Sequence, residues 1–107
     1  MSRTLIVARM DPNDAGTVAR LFAESDDTEL PHLIGVTRRT LFEFHGLYFH
    51  LVEAGGDLGA NLSAARDNPL YAGLNESLSH HIQPYSPTWR EPRDAMAKPF
   101  YSWQAER

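Results

Sequence analysis

The residues best suited to chemistry lie in one predicted β-hairpin. His45-Gly46 is a two-residue turn between two runs rich in β-branched and aromatic residues, so Phe44 pairs with Leu47 and Leu41 opposes His50. Strand side chains alternate between the two faces of a sheet. One face of the hairpin therefore carries a mixed set of side chains: Arg39, Leu41, Glu43, Tyr48, His50 and Val52. The other face is apolar: Phe42, Phe44, Leu47, Phe49 and Leu51.

Arg39 and His50 are within reach of each other on the mixed face. Diagonal neighbours on a sheet lie ~7 to 8 Å apart, so a guanidinium and an imidazole, with the phenol of Tyr48 beside them, could converge on one oxygen of a small molecule. A mixed face is also typical of a solvated surface or a protein interface. The residue types alone leave both interpretations open.

Other polar clusters carry weaker signals. His80 and His81 are adjacent and lack the i, i+4 spacing of helical metal ligands. We therefore interpret them as surface residues near the end of a helix, where they interact with the helix dipole. Asp26, Asp27 and Glu29 do not follow the calcium-loop pattern and are typical of a solvated helix end. Four aromatic residues are more typical of core or dimer contacts than of a stacking platform: Trp89, Phe100, Tyr101 and Trp103.

Hydrophobic patterning predicts the elements that must position the mixed face. Four runs predict strands: Thr4–Met10, Val36–Phe44, Leu47–Glu53 and Phe100–Ala105. Apolar residues at helical spacing predict three helices: Pro12 to about Ser25, a helix capped by Asp57 that carries Leu58, Leu62 and Ala65, and Pro69–Ile82. The remainder is predicted as loops, with Pro31 stopping any continuation of the first helix and three prolines interrupting the stretch from Gln83 to Lys98.

This order of elements is typical of the split βαβ pattern. The predicted fold class is α+β and ferredoxin-like, with a four-stranded antiparallel sheet, helices on one face, and a single domain over residues 1–107. The chain has no element left to cover the second, apolar face of the sheet. A homodimer with a barrel-like arrangement of two sheets is the economical solution.

Composition excludes several classes of function. The 107 residues contain no cysteine, which removes disulfides, thiolate nucleophiles and cysteine-based metal sites. A net charge of −4 with scattered basic residues argues against nucleic acid as a partner. No apolar stretch approaches the ~20 residues that span a bilayer, and no export signal is recognisable, so we expect a cytoplasmic protein without membrane contact.

Four segments together resemble the tetracenomycin-type aromatic polyketide cyclases, and especially those of bacterial spore-pigment pathways. The segments are TLIVARMDP from Thr4, DDTELPHLIGVTRRTLFEFHGLYFHL from Asp26 to Leu51, NPLY from Asn68 to Tyr71, and AKPFYSW from Ala97 to Trp103. The resemblance spans essentially the whole chain. It implies a dimeric ferredoxin-like enzyme, without cofactor or metal, that closes a late ring of a polyketide by intramolecular aldol condensation and dehydration. It also implies work beside a minimal polyketide synthase.

The resemblance places the family's suggested active-site residues on Asp26, Arg39 and His50. The family pattern has a histidine just before this aspartate, where the present chain has Ser25. A poly-β-ketone has acidic methylenes, so an imidazole with a pKa of about 6.5 suits the role of base. Arg39 would stabilise the enolate oxygen, and Asp26 would orient His50 or carry a proton.

The substrate-binding candidates are Tyr48, Glu43 and Trp103. Two other functions remain open at the level of sequence. One is a cofactor-free monooxygenase that oxidises a polyketide phenol to a quinone, since it too needs only a phenol-binding cavity with polar groups. The other is a non-catalytic subunit of a synthase complex.

Overall fold

The computed structural model describes residues 2–106, and in them four strands form one antiparallel sheet in the order β2-β3-β1-β4. The strands are β1 (Ser2–Met10), β2 (Val36–Phe44), β3 (Leu47–Ala54) and β4 (Ile82–Gln83). The helices are α1 (Ala15–Asp26), α2 (Leu30–Ile34), α3 (Leu58–Ala65) and α4 (Pro69–Leu78). Short 3-10 turns precede α1 at Pro12–Asp14 and follow β4 at Pro92–Ala95. The predicted α+β, ferredoxin-like class is confirmed.

The β2–β3 hairpin has the predicted register. Phe44 pairs with Leu47, Leu41 with His50, and Glu43 with Tyr48. The turn is tight because both of its residues have positive φ, 49° at His45 and 83° at Gly46. The side chains of Arg39 and His50 therefore share one face, and α1 covers this face.

The helices pack on that mixed face and leave the apolar face open. On β3 the residues that face the helices are buried, while those between them are half-buried: the buried set is Tyr48, His50, Val52 and Ala54. Val18 and Phe22 of α1 pack against Tyr48 in one part of the core. Leu30 and Ile34 of α2 pack with Leu58 and β3 in the other part. Phe42 and Phe44 on the opposite face remain 50% and 60% exposed.

The prediction of a loop throughout residues 30–35 is wrong. Pro31 lies in the first turn of α2, where its missing N–H would have no helical partner, so it begins this helix rather than preventing it. Gly35, at φ 87°, ends the helix in the left-handed conformation, and its N–H donates to the carbonyl of Pro31 at 2.8 Å. Leu30 and Ile34, four residues apart, are the buried side chains that hold α2 on the sheet.

The predicted fourth strand, Phe100–Ala105, is also wrong. The edge of β1 is occupied by Ile82–Gln83, which pair with Met10 and Arg9, and by Met96, which forms a bridge to Ile6. Because Ile82 is needed in the sheet, α4 ends at Leu78 and not at the predicted Ile82. Beyond Ala97, whose N–H donates to the carbonyl of Leu5, residues 98–106 are exposed and have no regular secondary structure.

Candidate active site

Asp26 and Arg39 form a multiply hydrogen-bonded ion pair between the end of α1 and the middle of β2. The Nε of Arg39 donates to both carboxylate oxygens of Asp26 at 3.1 Å, and Nη2 donates to Oδ1 at 2.8 Å. The side chain of Arg39 is 15% exposed and that of Asp26 is 38% exposed. A planar guanidinium bound in this way has a fixed orientation. The ion pair therefore lies at the rim of the helix-covered face.

His50 contacts the same guanidinium from β3. Its Nε2 lies 3.1 Å from Nη1 of Arg39, and the residue is only 7% exposed. Arginine has five N–H donors and no acceptor, so Nε2 accepts the hydrogen bond and the ring proton is on Nδ1. The structure thus brings together Asp26, Arg39 and His50, and we call these three residues the Arg39 cluster.

The environment of His50 differs from that expected of a free imidazole. Burial, and to a lesser extent the positive charge of Arg39, lower the pKa of His50 to about 3. The sequence-based value of about 6.5 does not hold in this environment. His50 is a neutral hydrogen-bond acceptor at neutral pH, and the carboxylate of Asp26 is hydrogen-bonded to Arg39 and not to His50.

Phe22 is a member of the site that sequence reasoning missed. Its ring centroid is 4.8 Å from the guanidinium carbon of Arg39 and 5.2 Å from the His50 ring, which it meets edge to face. Cation–π contact and burial both hold the guanidinium in place. The available signal was its position in α1, one helical turn before Asp26.

Tyr48 lies beside the Arg39 cluster. It is 4% exposed, and its ring centroid is 6.2 Å from that of His50. Burial raises the pKa of Tyr48 far above its usual value, although the charge of Arg39 opposes this, so the phenol stays protonated. Within residues 2–106 every fully buried polar side-chain atom has a hydrogen-bond partner.

Two predicted substrate-binding residues are not brought to the Arg39 cluster. Glu43 is exposed, and its Oε2 accepts a hydrogen bond of 3.1 Å from the N–H of Gly46, which closes the hairpin turn. Trp103 is 74% exposed in the C-terminal segment. Ser25 lines a shallow groove of about 240 Å³ between α1 and α4, whereas the next side chain, Asp26, reaches Arg39 on β2.

Two histidines outside the Arg39 cluster lie close to carboxylates. His80 lies 3.4 Å from Glu76, and His81 lies 3.3 Å from Asp14. Among residues 2–106, no group of three histidine or carboxylate side chains is placed to hold a metal ion. No helix in the part of the chain described here has the length and hydropathy needed to cross a membrane.

A second cavity, of about 390 Å³, lies at the start of α3 between β1 and Met96. Its lining comprises Ser2, Thr4, Gly56, Asp57, Leu58, Gly59, Arg93 and Met96. Neither this cavity nor the groove between α1 and α4 includes a residue of the Arg39 cluster. The Arg39 cluster is therefore a candidate site because of its convergent polar groups and not because of a cavity.

Comparison with known proteins gives a consistent picture. Residues 2–104 match the family model described as polyketide synthesis cyclase. The chain is 52% identical over 103 residues to tetracenomycin F2 cyclase of Streptomyces glaucescens, covering 96% of this chain and 94% of that protein. It is 42% identical over 107 residues to polyketide synthase CurG of Streptomyces cyaneus, covering 99% and 100%.

Solved structures agree. The structure of tetracenomycin F2 cyclase from Streptomyces glaucescens, described as a type-II polyketide cyclase, superposes with a TM-score of 0.91 at 50% identity, over 98% of this chain and 99% of that one. A putative antibiotic biosynthesis monooxygenase from Nitrosomonas europaea superposes with a TM-score of 0.54 at 7% identity, over 75% and 77%. The second likeness is one of fold alone.

Proposed function

The chain belongs to the polyketide synthesis cyclase family, and from this premise we propose that it closes a late ring of a multicyclic aromatic polyketide by intramolecular aldol condensation and dehydration. The family match over residues 2–104 supports treating the chain as a single catalytic domain. The name of the related tetracenomycin F2 cyclase supports a substrate of the aromatic polyketide class.

The substrate itself supplies most of the reactivity that this reaction needs. A methylene between two carbonyls loses a proton to give an enolate whose charge is shared by two oxygens. The enolate carbon then attacks a carbonyl carbon of the same chain, and the alkoxide oxygen that results takes up a proton. The hydroxyl group so formed leaves as water, while the neighbouring carbon loses a proton. The protein must favour one of several possible ring closures, so positioning and hydrogen bonds to the developing oxyanion supply most of its contribution.

The observation that carries this proposal is the convergence of Asp26, Arg39 and His50 under α1. We place the active site at these three residues. Tyr48 is the neighbouring donor to a substrate oxygen, because its phenol remains protonated beside them. The buried rings of Phe22 and Tyr48 pack against His50 and make the surroundings of the polar groups apolar, a combination suited to a flat and multiply hydroxylated substrate.

The direct test is the change in mass of a substrate. Purified protein is incubated with an extract of a strain that accumulates the uncyclised polyketide, and we expect loss of one water. Gain of one oxygen with oxygen consumption would show a monooxygenase instead. No change by the purified protein alone would leave it as a non-catalytic subunit.

Arg39→Met and Arg38→Met form a matched pair for this assay. Arg39 belongs to the cluster, whereas Arg38 is its exposed neighbour on the opposite face of β2. We expect Arg39→Met to lower kcat/KM about 100-fold or more, the effect of removing an oxyanion donor. Arg38→Met should stay within about twofold of the wild type. Equal activity of both variants would contradict the assignment of the site.

We further propose that the enzyme is a homodimer whose subunits meet through the open face of the sheet. This face presents Phe42 and Phe44 beside the half-buried Phe49. The C-terminal segment adds three exposed aromatic side chains, Phe100, Tyr101 and Trp103, which are 100%, 79% and 74% exposed. Apolar surface of this kind on one chain is typical of an interface. A second copy, which supplies the same face and the same segment, fits both observations.

Work in the cytoplasm beside a polyketide synthase is the remaining part of the proposal. Its support is the name of the related polyketide synthase CurG, together with the reactive substrate, which must be cyclised soon after it is made. Neither cofactor nor metal is required by the aldol and dehydration steps, because the ketone groups of the substrate stabilise the carbanion themselves.

A further inference from the structure

The hydrogen bonds of Arg39 leave a defined part of its guanidinium free. Of its five N–H groups, that on Nε and one on Nη2 are bound to Asp26, and one on Nη1 is bound to His50. One N–H therefore remains on each of the two terminal nitrogens. Among the described residues no further acceptor is bound to either. The two free donors lie on the two terminal nitrogens of one planar group, so together they can meet two oxygens held side by side.

The same hydrogen bonds restrict what His50 can do. A base takes up a proton through a free lone pair, and the lone pair of Nε2 is already occupied by Nη1 of Arg39 at 3.1 Å. The other ring nitrogen carries the proton in this tautomer. A protonated imidazole would also face a guanidinium at hydrogen-bond distance, inside a site where His50 is 7% exposed. His50 could accept a substrate proton only after Arg39 had been displaced.

We infer that Arg39 alone of the cluster contacts the reacting oxygens, binding both oxygens of a 1,3-dicarbonyl group or its enolate through its two free N–H groups. His50 is then a positioning residue that, together with Asp26, holds the guanidinium. This inference rests on the proposed function and deepens it by naming the substrate group recognised. When the methylene C–H bond breaks, the proton passes to solvent water, and the electron pair is shared by the two oxygens bound to Arg39.

The decisive variants are His50→Gln and His50→Leu. The side-chain oxygen of glutamine can accept from Nη1 as Nε2 does, but glutamine cannot act as a base, and leucine can do neither. We expect kcat/KM for polyketide cyclisation to fall less than about tenfold in His50→Gln and about 100-fold in His50→Leu, while both variants keep the wild-type circular dichroism spectrum. A general base is worth about 100-fold or more, so an equal and large loss in both variants would overturn the inference.

Arg39→Lys supplies a second comparison. Lysine keeps the positive charge but presents a single point donor instead of a planar fork. We expect a loss of about 100-fold in kcat/KM, with a smaller loss when the assay substrate has only one carbonyl oxygen next to the reacting carbon. Full activity of Arg39→Lys would show that charge alone suffices and would overturn the two-oxygen contact.

Measurements on the protein without polyketide separate failure of this inference from failure of the proposed function. Nitrogen NMR of the wild type should show His50 protonated on Nδ1 only, with no titration between pH 8 and 5, a window chosen to bracket the ordinary histidine pKa. Pentane-2,4-dione, a small 1,3-dicarbonyl, should shift the side-chain resonances of Arg39 in the wild type and in Arg38→Met. A proton on Nε2 at pH 7, or no response of Arg39 to the diketone, would overturn the inference whatever the cyclisation assay gives.

Discussion

A positive charge on His50 is costly in the folded chain. The ring is 7% exposed and its Nε2 lies 3.1 Å from the guanidinium of Arg39, so the charged form loses hydration and is repelled by its neighbour. Neither effect operates in an unfolded chain, where the imidazole has its ordinary pKa of about 6.5. In acid the unfolded chain therefore takes up a proton that the folded chain does not.

This difference predicts an acid-sensitive contribution to stability. The folded pKa of His50 is about 3, so the free energy of unfolding should fall as pH drops below about 6.5 and continue to fall toward pH 3. Between pH 7 and pH 5 we expect the wild type to lose about 2 kcal/mol more than His50→Gln, which has no titrating group there. Urea unfolding of both proteins at the two pH values measures this difference in the free energy of unfolding. Equal losses would mean that His50 titrates alike in the folded and unfolded chains.

Residue patterns predict part of this site and no more. Strand alternation and the tight turn place Arg39 and His50 on one face, because both depend only on local geometry. The joining of Asp26 to them depends on where α1 ends over the sheet, and residue spacing does not give that position. The environment of His50 depends on burial under Phe22, a tertiary contact, so its pKa could not be read from the residue type.

At the scale of elements, α2 is fixed by the glycine that ends it. Gly35 has φ 87°, and a Cβ added there would lie 3.1 Å from the carbonyl oxygen of Gly55. The N–H of Gly55 in turn donates to the carbonyl of Gly35 at 2.9 Å. These contacts join the end of α2 to the turn after β3. They also hold Leu30 and Ile34 against the sheet.

Gly35→Ala should therefore destabilise the fold. We expect a loss of about 2 kcal/mol in the free energy of unfolding, from the left-handed backbone and the close carbonyl together. Gly16→Ala is the matched control, because a Cβ at Gly16 would meet nothing within 4 Å and the residue lies inside α1. At position 16 alanine should raise the free energy of unfolding by about 0.5 to 1 kcal/mol. Equal effects of the two substitutions, measured by urea unfolding, would refute the role of Gly35.

The prediction of a strand fails where the result depends on whether the segment finds a free strand edge to pair with. Phe100–Ala105 has the composition of a strand, yet the edge of β1 is taken by Ile82–Gln83 and Met96, so the segment has no strand to join within its own chain. Composition reports only how well residues suit a sheet, whereas the sheet has a limited number of free edges. The long hairpin was predictable because each of its strands finds its partner next in sequence.

At the scale of the whole molecule, the unpaired aromatic surface defines the predicted interface. Phe42→Glu combined with Phe44→Glu should convert the dimer to a monomer, because two charges would have to be buried at the interface. Leu33→Glu is the control, since Leu33 is 52% exposed on α2, among the helices rather than on the open face. Sedimentation velocity distinguishes the outcomes. A wild type that is monomeric, or a dimer unaffected by the double substitution, would contradict this interface.

Two separate segments pair with the edge of β1, so the native state can open there in steps. Ile82–Gln83 and the Met96–Ala97 contact occupy this edge separately, so the second can detach while the first and the β1–β3–β2 ladder stay closed. Such partial opening requires far less free energy than global unfolding. If a second copy binds the segment that follows Ala97, association and closure of this edge become one linked equilibrium. Protein concentration would then set how often this edge opens, so local fluctuation and assembly would be regulated together.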